Sequence, residues 1–262
     1  MANDLIYLEK DGNIGTVVLN RPEKLNAMAP PMLLLFDKVM QEARDDDDIK
    51  VVVIRGNGRA FSTGYDMEGG GVEQTIAEDR DYQQVKVERW QRIRDFPKPV
   101  IAMIHGYCIA GASQMAIHCD VIFVAEDTQL GFPVVPAGGG MMGQSWAWHV
   151  GPHKAKWLSF LPGSMISGKE AEAMNFASKA FPADKLEEET YSYARRIAKV
   201  PGDLLRIKKL AINRVMDVQG FQTSIKFGAE WNAIAHRTSG TEEVRGEIKK
   251  RGLRGAIEWW KE

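Results

Sequence analysis

A short segment with little side-chain bulk is the part of this sequence best suited to chemistry. Between Gly106 and Ala112 the chain passes from an apolar strand pattern into an apolar helix pattern. The residues at the turn, Gly106, Ala110 and Gly111, carry at most a methyl group. Backbone N–H groups at a helix start have no partner within the helix, and small residues leave them uncovered. The segment therefore predicts a site that binds an oxygen gaining negative charge and so polarises a carbonyl group.

A second motif precedes this turn and points to a protein family. The segment from Gly58 to Met67 reads GRAFSTGYDM, and the segment from His105 to Gln114 reads HGYCIAGASQ. Together they resemble the motifs F-(S/C)-A-G-x-D and N-G-x-x-x-G-G-G of the enoyl-CoA hydratase/isomerase, or crotonase, superfamily. The resemblance spans nearly the whole chain. It extends to the first strand and CoA-contacting turn of the family, at Gly15 to Ala27, and to its S-x-x-E-A block, at Ser167 to Phe181.

The resemblance implies that the ligand is an acyl-CoA thioester. The backbone N–H groups of Thr63 and Gly111 correspond to the pair that grips the thioester oxygen in this family. The CoA moiety is then expected along the early turn and the loop after Ala60, with Lys24 as a cation for phosphate. The residues implied to contact it are Lys24, Ala27, Ser62, Gly64, Asp66 and Met67. No separate cofactor is implied, because coenzyme A enters as part of the substrate.

Two carboxylates used by the hydratases of this family are missing from the corresponding positions. Gln114 follows Gly111 where one glutamate is expected, and Val134 occupies the place of the other. Addition of water across a double bond needs one group that accepts a proton and another that delivers one. Neither an amide nor an isopropyl group can do this, so standard hydration of crotonyl-CoA at full rate is not expected. Gln114 is interpreted as a group that positions water or substrate, and Tyr65 and His149 are candidates to replace the acids.

Two functions of different classes remain open at this point. The first is an enzyme of the hydratase/isomerase type that stabilises a thioester enolate and carries out decarboxylation, C–C cleavage, or an unusual hydration or isomerisation. The second is a catalytically inactive protein that binds acyl-CoA. A nucleotide-binding α/β domain is excluded, because no glycine-rich phosphate-binding motif follows any predicted strand.

The composition narrows the class of partner. Because 34 Lys and Arg residues balance 35 Asp and Glu residues, the chain has no overall attraction to nucleic acid or to an anionic membrane. Cys108 and Cys119 lack metal-binding spacing and are predicted to be reduced thiols. The run from Asp45 to Asp48 is interpreted as a solvated loop, so no metal site is predicted. The N-terminus has no signal-peptide pattern, which predicts a cytoplasmic protein.

The elements that must position these residues alternate between strand and helix. Apolar runs such as Val51 to Ile54 and Val100 to Ile104 are separated by amphipathic stretches, which predicts an α/β fold with parallel strands and crossover helices. Beyond Phe132 helical patterns dominate. We predict a core over residues 1–200 and a helical region over residues 201–262. The resemblance implies that the core is a spiral of β-β-α units and that the C-terminal helices assemble a homotrimer or homohexamer.

Overall fold

The computed structural model describes residues 5–66, 75–132 and 140–260, apart from the side chains of residues 140–144. The strands in these ranges are β1 (Ile6–Asp11), β2 (Ile14–Leu19), β3 (Val51–Gly56), β4 (Val100–Ile104), β5 (Tyr107–Ile109), β6 (Val121–Ala125), β7 (Gln129–Gly131), β8 (Met165–Ser167) and β9 (Lys179–Phe181). The helices are α1 (Pro30–Asp45), α2 (Ile76–Arg94), α3 (Gly111–Ile117), α4 (Gly140–Phe160), α5 (Gly168–Ala173), α6 (Leu186–Ile197), α7 (Gly202–Val218), α8 (Phe221–Ala235) and α9 (Ser239–Trp259).

The main sheet has six strands in the order β1-β2-β3-β4-β6-β9. The β1–β2 pair is antiparallel, and the other neighbouring pairs are parallel. Every residue of β2 and of β4 is buried, as expected for strands covered on both faces. A small second sheet has the order β5-β7-β8. The α/β fold predicted from the alternating pattern is therefore confirmed.

Two apolar clusters lie on opposite faces of the main sheet. On one face Phe36 of α1 and Trp90 of α2 pack edge to face, with ring centroids 5.7 Å apart. On the other face Phe123 of β6 packs against Phe181 of β9, close to α6. Strand β4 contributes to both clusters, because successive side chains of a strand point to opposite faces. Its members alternate between the first cluster (Val100, Ala102, Ile104) and the second (Ile101, Met103).

The C-terminal helices include one packed helix and one exposed helix. Helix α8 packs against α2 and α4, and its Phe221 and Ile225 form a third apolar cluster with Val87 of α2. No residue of α7 is buried as a whole, although the Lys209 side chain is, and Ile212 is 66% exposed. The helical character predicted for residues 201–262 is thus present. This region contacts the rest of the chain through the packing of α8 and through ion pairs of α7, where Lys209 binds Asp120 and Asp217 binds Arg94.

The structure shows the surroundings of the two cysteines and of the acidic run from Asp45 to Asp48. Cys108 and Cys119 are free thiols, and burial raises the pKa of both. Asp46 and Asp48 bind the ammonium of Lys10 at 2.7 and 2.9 Å, so this part of the acidic run forms surface ion pairs. Among the described residues, none of the helices combines the length and the apolar character that a bilayer crossing requires.

Candidate active site

The two motifs singled out in the sequence lie side by side. The amide of Ser62 donates to the carbonyl of Tyr107 at 3.0 Å, and the amide of Ile109 donates back to the carbonyl of Ser62 at 3.1 Å. These bonds make a parallel bridge between Ser62 and Cys108 of β5. Backbone hydrogen bonds therefore fix the loop after β3 to the strand that leads into α3.

The amide of Thr63 is already used within the fold. It donates to the carbonyl of Leu25 at 3.1 Å, and the amide of Met28 donates to the carbonyl of Gly64 at 2.7 Å. These two bonds join the loop to the turn before α1. The prediction that Thr63 supplies a donor to the ligand is therefore corrected. The side-chain pattern of the motif does not show which amide of the loop the neighbouring turn will take.

The amides of Tyr65 and Gly111 remain open. Within the described part of the chain neither N–H has a hydrogen-bond acceptor, and Gly111 is the first residue of α3, where an intrahelical partner does not exist. The two segments meet at Gly64, where an added methyl group would lie 2.9 Å from the nitrogen of Gly111. Gly64 has a φ of +89°, which glycine adopts without strain. Glycine at this position thus permits the turn and leaves the Gly111 N–H uncovered.

The elbow before α3 is held in an uncommon backbone conformation. Ala110 has φ 51° and ψ −120°, a region that residues with a side chain rarely occupy. Its amide donates to the carbonyl of Gly131 in β7 at 3.0 Å, which fixes the elbow to the small sheet. The direction of the next amide, that of Gly111, is therefore set by a strained residue and a strand bond.

The ring of Tyr65 covers one side of this elbow. A methyl group on Gly111 would lie 2.5 Å from Cε2 of the ring, so the ring packs on the Gly111 backbone. The Tyr65 hydroxyl accepts a hydrogen bond from Trp90 Nε1 at 2.8 Å, and burial raises its pKa. The phenol therefore keeps its proton near neutral pH and is oriented by Trp90.

Gln114 is buried on α3 beside a small cavity. The cavity has room for about one water molecule and is lined by Val87, Trp90, Gln114, His118, Ser145 and Ile225. His118 Nδ1 lies 2.7 Å from the carbonyl oxygen of Gln114, so this nitrogen carries the hydrogen and donates. Burial lowers the pKa of His118 to about 4, and Nε2 of the neutral ring has no partner among the described residues. Gln114 therefore lies beside a neutral imidazole ring in a cavity whose lining is mainly apolar.

His149 lies on α4 against the C-terminal helix α8. Its ring centroid is 6.5 Å from that of Phe221, which also contacts His118 from another side at 6.2 Å. Burial lowers the pKa of His149 to about 4. The ring contact of this side chain is with α8. Its place is thus beside the third apolar cluster, which the sequence pattern did not indicate.

Most of the residues predicted to contact CoA lie on the loop and turn that the backbone bonds join. Ser62 is fully buried, and its hydroxyl donates to the carbonyl of Asn26 at 2.7 Å, so it holds the turn. Asp66 forms an ion pair with Arg21. Ala27 is half-buried beside this pair and accepts from Arg21 Nη1 at 3.1 Å, while Lys24 is exposed on the same turn. The predicted positions of Met67 and Val134 lie outside the described residues.

Sequence reasoning missed a lysine that lies close to this elbow. Lys86 of α2 places its ammonium 4.6 Å from the ring centroid of Tyr65 and 4.2 Å from that of Tyr82. Burial lowers its pKa to about 8, with Asp79 raising the pKa and Arg89 lowering it by smaller amounts. The sequence signal that could have indicated this lysine is the spacing of Tyr82, Lys86 and Trp90. These positions are four residues apart and share one helix face.

Comparison with known proteins gives a consistent result. A family profile described as enoyl-CoA hydratase/isomerase matches residues 9–245. EchA13 of Mycobacterium tuberculosis, provisionally named an enoyl-CoA hydratase, is 31% identical over a 278-position alignment that covers 96% of this chain and 86% of the relative. The crystal structure of an enoyl-CoA hydratase/isomerase from Xanthobacter autotrophicus has a TM-score of 0.90 at 28% identity, over 98% of this chain and 97% of its own. A provisionally named enoyl-CoA hydratase/isomerase from Novosphingobium aromaticivorans has a TM-score of 0.93 at 33% identity, over 98% and 95% of the two chains. The chain therefore belongs to the enoyl-CoA hydratase/isomerase family, within the crotonase superfamily.

Proposed function

We propose that this protein binds an acyl-CoA thioester with its carbonyl oxygen at the amides of Tyr65 and Gly111, and that it stabilises the enolate formed there. The observation that carries the proposal is the meeting, across Gly64, of two backbone donors that have no acceptor in the part of the chain that the structure describes. A donor of this kind contributes on the order of 3 kcal/mol to a transition state in which the oxygen gains charge. Both donors belong to segments fixed by backbone bonds, so they need little rearrangement when charge develops.

We further propose that the reaction differs from standard hydration of crotonyl-CoA. Gln114 stands where hydratases of the family carry a glutamate, and an amide cannot exchange a proton near neutral pH. Decarboxylation, C–C cleavage and the isomerisation or hydration of an unusual substrate can all pass through a thioester enolate. The same pair of amides serves each of them. In this proposal Gln114 holds water or substrate by hydrogen bonds, and the Tyr65 hydroxyl, whose ring packs on the elbow, is a candidate proton donor.

The second candidate is a protein that binds acyl-CoA without turnover. One observation favours it: the described lining of the cavity beside Gln114 contains no carboxylate, and its histidine is held neutral. Such a protein would keep the grip on the carbonyl and lack the proton carriers. The two candidates share the binding mode and differ in turnover.

The binding mode is tested by removing the acceptor from the ligand. We compare butyryl-CoA with its thioether analogue S-butyl-CoA, which has no carbonyl oxygen, by isothermal titration calorimetry. Two hydrogen bonds of about 1 kcal/mol each predict roughly tenfold or greater preference for the thioester. A shift of the thioester carbonyl stretch to lower frequency, in isotope-edited infrared difference spectra, is the second readout. Equal affinity of the two ligands, with an unshifted carbonyl band, would refute the proposal.

Turnover then separates the two candidates. Enoyl-, β-keto- and malonyl-type CoA esters are incubated with the protein in D2O and followed by mass spectrometry. Product formation, or deuterium uptake at the α-carbon, supports the enzyme. Tight binding without either change supports the inactive binder.

Assembly and location complete the proposal. Exposed apolar side chains on α7 and α8, among them Ile212 and the half-exposed Trp231, support assembly into a homotrimer or homohexamer, as the family membership suggests. Lys24, on the exposed turn, is proposed to bind a CoA phosphate. The cytoplasmic location stays a prediction from the sequence.

A further inference from the structure

We propose that Lys86 recognises a carboxylate on the acyl part of the ligand, so that the protein takes a carboxyacyl-CoA thioester. The inference rests on the proposed function, since it assumes that the thioester carbonyl lies at Tyr65 and Gly111. It concerns recognition of the acyl group and contains no bond-making step.

The position of Lys86 follows from a chain of contacts that begins at the elbow. The ring of Tyr65 packs on the Gly111 backbone, and its hydroxyl accepts from Trp90 Nε1. Lys86 lies one helical turn before Trp90 on α2, and its ammonium lies over the same tyrosine ring at 4.6 Å. A single aromatic ring thus touches both the proposed carbonyl site and the ammonium. The pantetheine arm separates the CoA phosphates from the thioester by far more than the width of this ring. When the thioester lies at the elbow, a ligand anion that reaches Lys86 must therefore belong to the acyl group.

The ammonium of Lys86 has no anionic partner among the described residues. Its recorded contacts are the Gln83 side-chain oxygen at 3.2 Å and the two tyrosine rings. Other buried cations of α2 are neutralised: Arg89 binds both oxygens of Asp37 at 3.0 and 3.1 Å, and Arg94 binds Asp217 at 2.8 Å. Within this helix, the two buried arginines are thus each paired with a carboxylate, whereas Lys86 is not paired with one among the described residues.

The nearby acid of the same helix is committed elsewhere. Asp79 Oδ2 lies 2.7 Å from His236 Nδ1, and Asp79 Oδ1 accepts from Gln83 Nε2 at 2.8 Å. A partly buried ammonium costs free energy when it has no counter-ion, and Lys86 has none among residues 5–66, 75–132 and 140–260, so a functional reason for keeping it is expected. The faces of tyrosine rings attract a cation but recover only part of this cost.

The chemistry of the group favours a carboxylate. An ammonium has three donors, and Gln83 accepts one hydrogen bond, which leaves capacity for the two oxygens of a carboxylate. Tyr82, the outer of the two rings, is 49% exposed, so the ammonium lies between a ring at the elbow and a ring at the surface. A ligand can therefore reach it from solvent.

Calorimetry on matched ligands and variants tests the inference. Succinyl-CoA and glutaryl-CoA are the charged probes, and butyryl-CoA and valeryl-CoA are the neutral ones. Lys86→Met keeps most of the length of the side chain and removes the charge, while Lys86→Arg keeps the charge. Lys154→Met is the matched control, because Lys154 also lies over an aromatic ring, that of Trp157 at 5.5 Å, but on the exposed part of α4.

We expect the wild-type protein to bind at least one carboxyacyl ester tenfold or more tightly than the neutral ester of the same chain length. Lys86→Met should abolish this preference without weakening the neutral esters, Lys86→Arg should retain part of it, and Lys154→Met should leave it unchanged. Circular dichroism checks that each variant is folded. Binding of neutral esters with no preference in the wild type, or a preference that survives in Lys86→Met, overturns this inference alone. Binding of neither class overturns the proposed function together with it.

Discussion

The substitution Gly64→Ala tests the geometry of the candidate site most directly. The new methyl group would lie 2.7 Å from the carbonyl oxygen of Ile109 and 2.9 Å from the nitrogen of Gly111. Both distances are shorter than the contacts that a Cβ atom makes in folded proteins. The left-handed φ of +89° adds a conformational penalty of about 1–2 kcal/mol for a residue with a side chain. Overpacking against backbone atoms adds roughly 1–3 kcal/mol. The expected loss in free energy of unfolding is therefore about 2–5 kcal/mol.

A second glycine separates conformational strain from contact. Gly220 has a similar φ of +98°, but a methyl group there would meet no atom within 4 Å. Gly220→Ala should therefore lose only the conformational part, about 1–2 kcal/mol. Urea denaturation of both variants gives the two free energies, and their difference isolates the contact between the two motifs.

Ligand affinity gives the functional readout for the same pair of variants. Gly64→Ala should lose most of its preference for butyryl-CoA over S-butyl-CoA, since the methyl group blocks the Gly111 N–H, whereas Gly220→Ala should keep it. Equal destabilisation of the two variants together with an unchanged thioester preference in Gly64→Ala would show that the reasoning about this elbow is wrong.

Three further outcomes are expected. Ala110→Gly should raise the free energy of unfolding by about 0.5–1 kcal/mol in urea titrations, because glycine adopts the observed positive φ without strain; a loss of stability would contradict this. The Lys86 pKa is lowered from 10.5 to about 8, so the unfolded chain binds more protons between these two pH values and stability should rise with pH there. Lys86→Met should accordingly be more stable than the wild type at pH 7, by on the order of 2 kcal/mol, with the advantage shrinking as the pH rises above 8; a difference independent of pH would exclude titration of Lys86 as its cause. Ile212→Asp on the exposed face of α7 should lower the mass measured by light scattering to that of a monomer, while Lys50→Asp should not; an unchanged assembly in Ile212→Asp would place the interface elsewhere.

The fold class and the family could be read from the sequence because their signals are local. The apolar runs of β3 and β4 predict buried parallel strands, and the small residues from Gly106 to Gly111 mark the elbow. The presence of Gly111 at the start of α3 followed from the same pattern.

The donors and neighbours at the elbow could not be read in full, because they depend on contacts between remote segments. The carbonyl of Leu25 accepts a hydrogen bond from the N–H of Thr63, and this contact decides which amide of the loop stays open. The surroundings of Lys86 come partly from Tyr65, which the chain brings to α2 only on folding. His149 is a candidate from the sequence, and its packing against Phe221 depends on a helix that lies about 70 residues further along the chain.

The bridge between Ser62 and Cys108 has a consequence for how this protein can diverge. Main-chain atoms alone make that link, so most replacements of side chains around it leave the paired segments in register. Proton-transferring residues can therefore be exchanged over evolutionary time while the proposed carbonyl-binding amides stay in place. Lineages descended from one ancestor are then free to acquire new reactions, or to lose reactivity, without rebuilding the shared anchor.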